Sequence, residues 1–329
     1  MQLQDAWNAA TRRLTPATSV VNRALGRFDD VVWVIGDGRS GSSWFADLLA
    51  GTLGYRQLYE PFHPYMVEQF HGLELNHYQP RGSSNERLRS ELAKIFEGRI
   101  NHRRVNSRAE GLLFKGLIVK DVLANPFAAW AVENFPAVKP VLLMRNPFAV
   151  ALSKAAHKHY AWNSGPADLL RQPELLDRHF RDDADFLREV DAKDDPVLNH
   201  LAVWAMLHTV LFRQFEPGTL HIATFESALR DPLRELAHVL AFLGEDPAVI
   251  GLRPELVERT ALHSEASSVR AVRESQGSAW RSKVTDEQIE AGTAILSRFG
   301  LDRLYVDGEP SAELEKVAAA LWRPSERKP

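Results

Sequence analysis

The stretch Val31-Val-Trp-Val-Ile-Gly-Asp-Gly-Arg-Ser-Gly-Ser-Ser-Trp-Phe-Ala-Asp-Leu-Leu-Ala50 limits what this chain can fold into more than any other segment. It reads as a buried strand, a glycine-rich turn and the first turns of a helix. Such a junction aims backbone N–H groups and a helix N-terminus at one point, which suits a phosphate. The glycine spacing, Gly36-x-x-x-x-Gly41, is that of a nucleotide phosphate loop. The lysine expected next is missing: position 42 is Ser42, and the cation sits earlier, at Arg39. A phosphate loop without the lysine that reaches the outer phosphates of a nucleoside triphosphate suggests a different donor.

The rest of the chain gives this junction room to be buried. With 329 residues and 45% hydrophobic content, it can bury a large core as one elaborated domain or two. A formal net charge of -3 gives no global reason to expect nucleic-acid binding, so any anion site must be local. There is no cysteine, which rules out disulfides, thiolate catalysis and cysteine-ligated zinc or iron–sulfur clusters. That absence fits a reducing compartment, and a cytoplasmic location is expected. No apolar run approaches the roughly 20 residues of a membrane span. The start, MQLQDAWNAATRRL, carries polar residues where a signal peptide needs an apolar core. Residues 3–26 suit one or two amphipathic helices with Trp7, Leu14, Val20, Val21 and Leu25 on the apolar side. Packing on the core or on a second subunit is the favoured reading, and a membrane-surface helix the alternative.

Alternating strand and helix signals run from residue 31 to about residue 243, which argues for a parallel sheet with crossover helices. Strands are predicted at 31–36, 56–60, 112–119, 139–144 and 219–224. Helices are predicted at 43–53, 86–98, 126–134, 147–158, 173–190, 197–214, 232–243, 285–299 and 310–322. Pro126, Pro147 and Pro232 sit where a first helical turn begins, a place that tolerates proline. Thr285 with Gln288 makes a capping-box pattern. The expected organisation is α/β: a helical N-terminal extension over 1–30, one domain with a central parallel sheet over 31–305, and a C-terminal helix and tail over 306–329. Segments 61–85, 160–172 and 262–283 read as long functional loops.

In open parallel sheets ligands bind beyond the C-terminal ends of the strands, and here the polar residues collect there. Strand 1 ends at the Gly36–Ser43 loop, strand 2 at Glu60-Pro61-Phe62-His63, strand 3 at Lys120-Asp121, and strand 4 at Met144-Arg145-Asn146-Pro147. One rim is thus offered a phosphate cradle, a carboxylate, an ammonium and a guanidinium. Ser153 lies roughly two turns into the helix after Arg145, so the pair would reach one anion if that helix folds back past the strand end.

The pair GDGRSGSSW and RNPFAVALS resembles the two donor-binding motifs of the sulfotransferases that use 3′-phosphoadenosine 5′-phosphosulfate (PAPS). The resemblance implies a single α/β domain of the phosphate-loop type and a sulfuryl transfer from PAPS that leaves PAP, the 3′,5′-bisphosphate. It assigns the 5′-phosphosulfate to Gly38, Arg39, Ser40, Gly41, Ser42, Ser43 and Trp44, and the 3′-phosphate to Arg145 and Ser153. Asn146 stands where the family usually has Asp, and Arg39 where it often has Lys. Gly277-Ser-Ala-Trp280-Arg281 resembles the late loop that closes over the donor, with Ala279 in place of the usual Asp. Arg270 and Arg273 are weaker candidates for the same lid. Thr224-Phe-Glu-Ser-Ala-Leu-Arg-Asp-Pro resembles the architectural segment after the last strand.

This chemistry accounts for the missing lysine. Transfer of SO3 from a phosphate leaving group should resemble phosphoryl transfer, with a loose transition state and charge growing on the departing phosphate. Catalysis is then mostly positioning and electrostatic stabilisation, and Arg39 beside the bridging oxygen is the matching cation. A hydroxyl acceptor also needs a general base. Glu60 is the first choice, since its Glu-Pro resembles that of carbohydrate sulfotransferases, and His63 is the alternative. Rim cations would lower the Glu60 pKa and burial would raise it. Lys120 would bridge the sulfuryl group or an anionic acceptor. No metal is expected, because His71, His77, His157 and His159 lack metal-ligand spacing. Phe62, Tyr65, Phe70, Tyr160 and Trp162 lie near the presumed acceptor side. A small-molecule or carbohydrate acceptor, with no nucleic acid, completes the expected partners, and a homo-oligomer stays open. The competing readings are a phosphate-loop kinase or NTPase, with Asp121 as the Mg2+ carboxylate, and a nucleotide-binding protein without catalysis.

Overall fold

The computed structural model describes residue 14 and residues 17–108, 111–157, 163–250 and 279–324. Its centre is strand β1, Val31–Gly36, six buried residues rich in β-branched side chains. A strand covered on both faces reads as a continuous apolar run, which is why this one lies inside a parallel sheet. Strands β2 (Arg56–Tyr59), β3 (Leu117–Lys120), β4 (Val138–Met144) and β5 (His221–Thr224) complete a five-stranded sheet of order β2-β3-β1-β4-β5. Every neighbouring pair is parallel, with Val31 opposite both Leu117 and Val138. All five strands therefore end at one rim.

Alternation along β1 splits the core in two. Trp33 and Ile35 face one side with Leu58, Phe62, Leu142 and Met144; Val32 and Val34 face the other with Phe45, Leu48, Leu49 and Phe225. Helix α1, Ser42–Leu53, returns from the β1 loop and stops at Gly54, whose φ of 70° ends it with a bond to the Ala50 carbonyl. Helices α2 (Glu86–Phe96) and α3 (Ala128–Asn134) precede β3 and β4 respectively. After β4 comes α4, Pro147–Ala156, capped by Asn146, whose side chain accepts from the Phe148 and Ala149 amides at 3.1 and 3.2 Å. Helix α5, Ala184–Ala192, leads to α6, Pro196–Gln214, which starts on an Asp195 cap and is buried almost throughout. A helix that is apolar all round belongs inside, and this one packs beneath α4. Beyond β5 lie α7 (Phe225–Arg230), α8 (Pro232–Leu243), α9 (Asp286–Arg298) and α10 (Leu314–Leu321). The Thr285 capping box forms, with both of its bonds at 3.2 Å.

The structure departs from the sequence expectations in several places. Strand β3 begins at Leu117 rather than 112, because Asn22 takes the Leu112 carbonyl and the Phe114 amide at 2.8 Å each. The chain over 17–24 is helical, and this asparagine ties it to the segment that enters β3. The apolar side expected to pack on the core is corrected: Leu14, Val20, Val21 and Leu25 are exposed, and Trp7 lies outside the described residues. The helix expected over 173–190 is broken by a π turn at Leu176–Phe180 and a 3-10 turn at Arg181–Asp183. The extra residue per turn lets Phe180 bury edge-on against Phe299 at 5.8 Å. Helix α7 fills residues that carried no helix expectation. Finally, Tyr305–Val306 and Glu309–Pro310 form an antiparallel hairpin through Asp307 and Gly308, at φ 52° and 88°. An Asp-Gly pair is the turn such a hairpin needs.

Candidate active site

The β1–α1 loop is built around close approaches. A Cβ on Gly36 would stand 2.7 Å from the Leu143 carbonyl of β4, so only glycine lets the loop leave the sheet here. Gly41 has φ 89°, and a Cβ there would drive into the Phe225 ring. Arg39 is itself left-handed at φ 70°, an uncommon setting for a non-glycine residue and one that recurs at ligand sites. Asp37 forms the floor: one carboxylate oxygen accepts from the Gly38 amide at 2.8 Å and from the Lys154 ammonium at 2.5 Å. Both members of that ion pair are buried.

Helix α1 starts at Gly41 with no side chain capping its amides. The first amides of a helix have no acceptor inside it, and they carry the positive end of its dipole. The Ser40 hydroxyl and the second Asp37 oxygen are buried without a hydrogen-bond partner. Arg39, Gly41 and Ser43 are half-exposed at the mouth, whereas Ser42 and Trp44 are buried. Trp44 packs edge-on against Phe225 at 6.1 Å, within the core. Its ring is committed to the core, which leaves its backbone amide to face the loop.

The second motif meets the first. The Arg39 Nε donates to the Ser153 hydroxyl at 2.9 Å, and Arg145 donates to the Arg39 carbonyl at 3.0 Å. The Arg145 guanidinium also lies over the Phe225 ring at 4.6 Å. Its pKa is lowered, first by burial and also by Arg39, with Glu226 opposing. Glu226 is buried beside it, accepts from the Asn146 amide at 3.0 Å, and takes the Tyr305 hydroxyl at 3.2 Å. Burial raises the Glu226 pKa. Asn146 reaches the Gly308 carbonyl at 3.3 Å, so the small hairpin buttresses this motif.

Trp280 stacks on Phe148 of α4, with ring centres 5.1 Å apart and planes 8° from parallel. It is a buried wall residue in this conformation, and Arg281 beside it is exposed. Gly277, Arg270, Arg273, His159, Tyr160 and Trp162 lie outside the described residues.

The ends of β2 and β3 carry a second cluster. Glu60 leaves β2 with a left-handed φ of 45° and turns its carboxylate onto Lys120, at 2.6 Å, and onto Arg104. Burial pushes the Glu60 pKa up, but Lys120 and Arg104 outweigh it and hold the group down to about 2. Tyr59 lies under three cations, with Lys120, Arg108 and Arg104 at 4.8, 5.0 and 5.3 Å from its ring centre. His63 accepts from the Tyr65 amide through Nδ1 at 3.3 Å. Its pKa is lowered, first by burial and then by Arg104. A neutral imidazole accepting at Nδ1 carries its proton on Nε2 and has no free lone pair to offer a hydroxyl. Of the expected acceptor-side aromatics, Phe62 and Phe70 are core residues, packed edge-on with centres 5.3 Å apart, and Tyr65 is 61% exposed.

Asp121 is turned inward, onto backbone amides. Its two oxygens accept from the Phe62 and Leu123 amides at 3.0 and 2.8 Å, and burial pushes its pKa up to about 6. Sequence reasoning missed Arg104, which is 44 positions from its partner. It also missed the Asp37–Lys154 pair and the Glu226–Tyr305 contact. Only Asp37 carried a local signal, since it stands inside the loop between two glycines. Among the described residues, no three His, Asp or Glu side chains converge to hold a metal ion, and no helix is long and apolar enough to cross a membrane.

No protein-family model matches the chain, and no curated protein sequence does. Several solved structures are similar in backbone. The sulfotransferase domain from the curacin biosynthetic pathway superposes with a TM-score of 0.45 at 16% identity, over 82% of this chain and 96% of that one. The sulfotransferase domain from the Synechococcus PCC 7002 olefin synthase gives 0.42 at 15% identity, over 80% and 94%. Retinol dehydratase in complex with androsterone and inactive cofactor PAP gives 0.37 at 16% identity, over 83% and 81%.

Proposed function

We propose that this chain is a PAPS-dependent sulfotransferase acting on an acceptor hydroxyl or amine. One observation carries the reading: Arg39 joins the glycine loop to Ser153, and Arg145 joins Arg39, so the two motifs meet through one set of contacts. A donor with a 5′-phosphosulfate and a 3′-phosphate has two anions to place, and a nucleoside triphosphate does not need the second. The residues fit the donor. The uncapped α1 amides, the unpartnered Ser40 hydroxyl, Gly38, Gly41, Ser42, Ser43 and the Trp44 amide surround the 5′ group. Arg145 and Ser153 hold the 3′-phosphate, and Arg281 borders the donor beside the Trp280 wall.

When bound, the donor supplies the SO3 group and a phosphate leaving group. Arg39 stabilises the charge that grows on the phosphate as the sulfur–oxygen bond breaks. Lys120 neutralises the sulfuryl oxygens. Glu60 takes the acceptor proton as the new oxygen–sulfur bond forms, and His63 orients the acceptor through its Nε2 proton. The acceptor is a small molecule or carbohydrate.

The test is transfer of label from sulfur-labelled PAPS to a mixture of hydroxyl and amine acceptors, with PAP measured as co-product. One PAP per transferred label is expected. Hydrolysis of Mg·ATP with no turnover of PAPS would overturn the reading.

A further inference from the structure

The Glu60 carboxylate is clamped at both oxygens, and its two partners differ in kind. Lys120 is a strand residue with its side chain only 3% exposed, and it holds the inner oxygen. Arg104 belongs to the loop between α2 and β3, its side chain is 32% exposed, and it holds the outer oxygen through one terminal nitrogen. The Arg104 Nε is buried without a partner, so the guanidinium spends only part of its fork on Glu60. Arg108 is engaged elsewhere, 2.5 Å from Asp47. Asp121, buried behind Lys120, gives its oxygens to amides. On the solvent side, Arg104 neighbours His63, next to the exposed Tyr65 and Met66.

A carboxylate bound to two cations is a weak proton acceptor, so turnover requires one clamp to open. The exposed one is Arg104. Taking the sulfotransferase reading as its basis, we propose that Arg104 reads an oxyanion on the acceptor, a carboxylate or a sulfate ester, and that this contact frees the outer Glu60 oxygen for the acceptor's hydroxyl proton. The forked side chain is suited to this role, because guanidinium gives two parallel N–H bonds to two oxygens of a carboxylate or a sulfate ester, one more than it makes with Glu60 in the resting state. The enzyme then favours hydroxyl acceptors that already carry a negative charge, and a neutral acceptor leaves the base clamped.

The probes are methyl glucuronide, its uncharged C6 amide and methyl glucoside 6-sulfate. Their dissociation constants are measured calorimetrically on the full chain saturated with PAP, for the wild type, Arg104→Gln and Arg104→Lys. At least one charged probe should bind the wild type about tenfold or more tighter than the amide, which is about 1.4 kcal/mol. Arg104→Gln should bring that ratio within about twofold, and Arg104→Lys should keep part of it. The stronger of the two charged probes tells carboxylate from sulfate ester. Equal binding of charged and uncharged probes to the wild type overturns the proposal, as does a preference that survives Arg104→Gln. PAP affinity is measured first. If the wild type does not bind PAP, the donor reading fails on its own, and the same probe ratios without PAP decide the role of Arg104. If Arg104→Gln loses PAP affinity and the probe ratio is flat, Arg104 belongs to the donor site and the proposal fails.

Discussion

Replacing Glu60 by Gln should produce a stability loss that depends on pH in a defined window. The Glu60 pKa is held to about 2, against an ordinary value of 4.5. A depressed carboxylate pKa stabilises the folded chain above the unfolded value, and that contribution disappears as pH falls through the folded value. The window therefore runs from 4.5 down to about 2. Two and a half pH units at about 1.4 kcal/mol each amount to about 3 kcal/mol at neutral pH. The same change leaves Lys120, with only 3% of its side chain exposed, facing an amide instead of a carboxylate. Urea denaturation of wild type and Glu60→Gln at a series of pH values measures the difference, and the other titrating groups cancel between the two proteins. The wild type should be about 3 kcal/mol more stable near neutral pH, with the gap closing on acidification through that window. A gap that is constant across the window, or below about 1 kcal/mol at neutral pH, would refute the clamped geometry.

Two further perturbations probe the loop. Lys154→Met strands the buried Asp37 carboxylate and should cost about 3–5 kcal/mol in denaturant unfolding, and adding Asp37→Asn should restore most of it; equal losses in the single and double variants would contradict a buried pair. Gly41→Ala forces a side chain into the left-handed region and into Phe225, so it should cost about 1–3 kcal/mol and weaken PAP binding at least tenfold by calorimetry. Unchanged stability would mean that the loop does not adopt this backbone.

The parts of the molecule that are legible in the sequence are those dictated by short-range physics. Strand β1 stands out because both its faces are covered, and α4 and α9 because Pro147 and the Thr285–Gln288 pair mark their starts. The glycine loop between β1 and α1 is legible for the same reason, as a strand, glycines and a helix follow one another without a break. What stays hidden depends on distant chain segments meeting. Asn22 shortens β3 by binding its approach, and nothing near residue 112 signals that. Arg104 is one of several basic residues in a loop, and only the fold selects it for Glu60. For the Trp44 ring, sequence position beside the loop leaves ligand contact and core packing both open, and the fold decides: its apolar surface is satisfied by Phe225 and the core. The Asp307-Gly308 turn is a local signal, but it falls in a stretch that reads from sequence as a C-terminal helix and tail.

If Arg145 and Ser153 hold a 3′-phosphate, PAP and 5′-AMP must bind very differently, since the two ligands differ only in that group. Calorimetry on the wild type should give PAP at least about a hundredfold tighter binding, about 2.7 kcal/mol, without added metal. In Arg145→Ala most of that difference should vanish while 5′-AMP binding changes little. Equal affinity of the two ligands for the wild type, or a PAP preference that survives Arg145→Ala, would mean that Arg145 and Ser153 hold no 3′-phosphate.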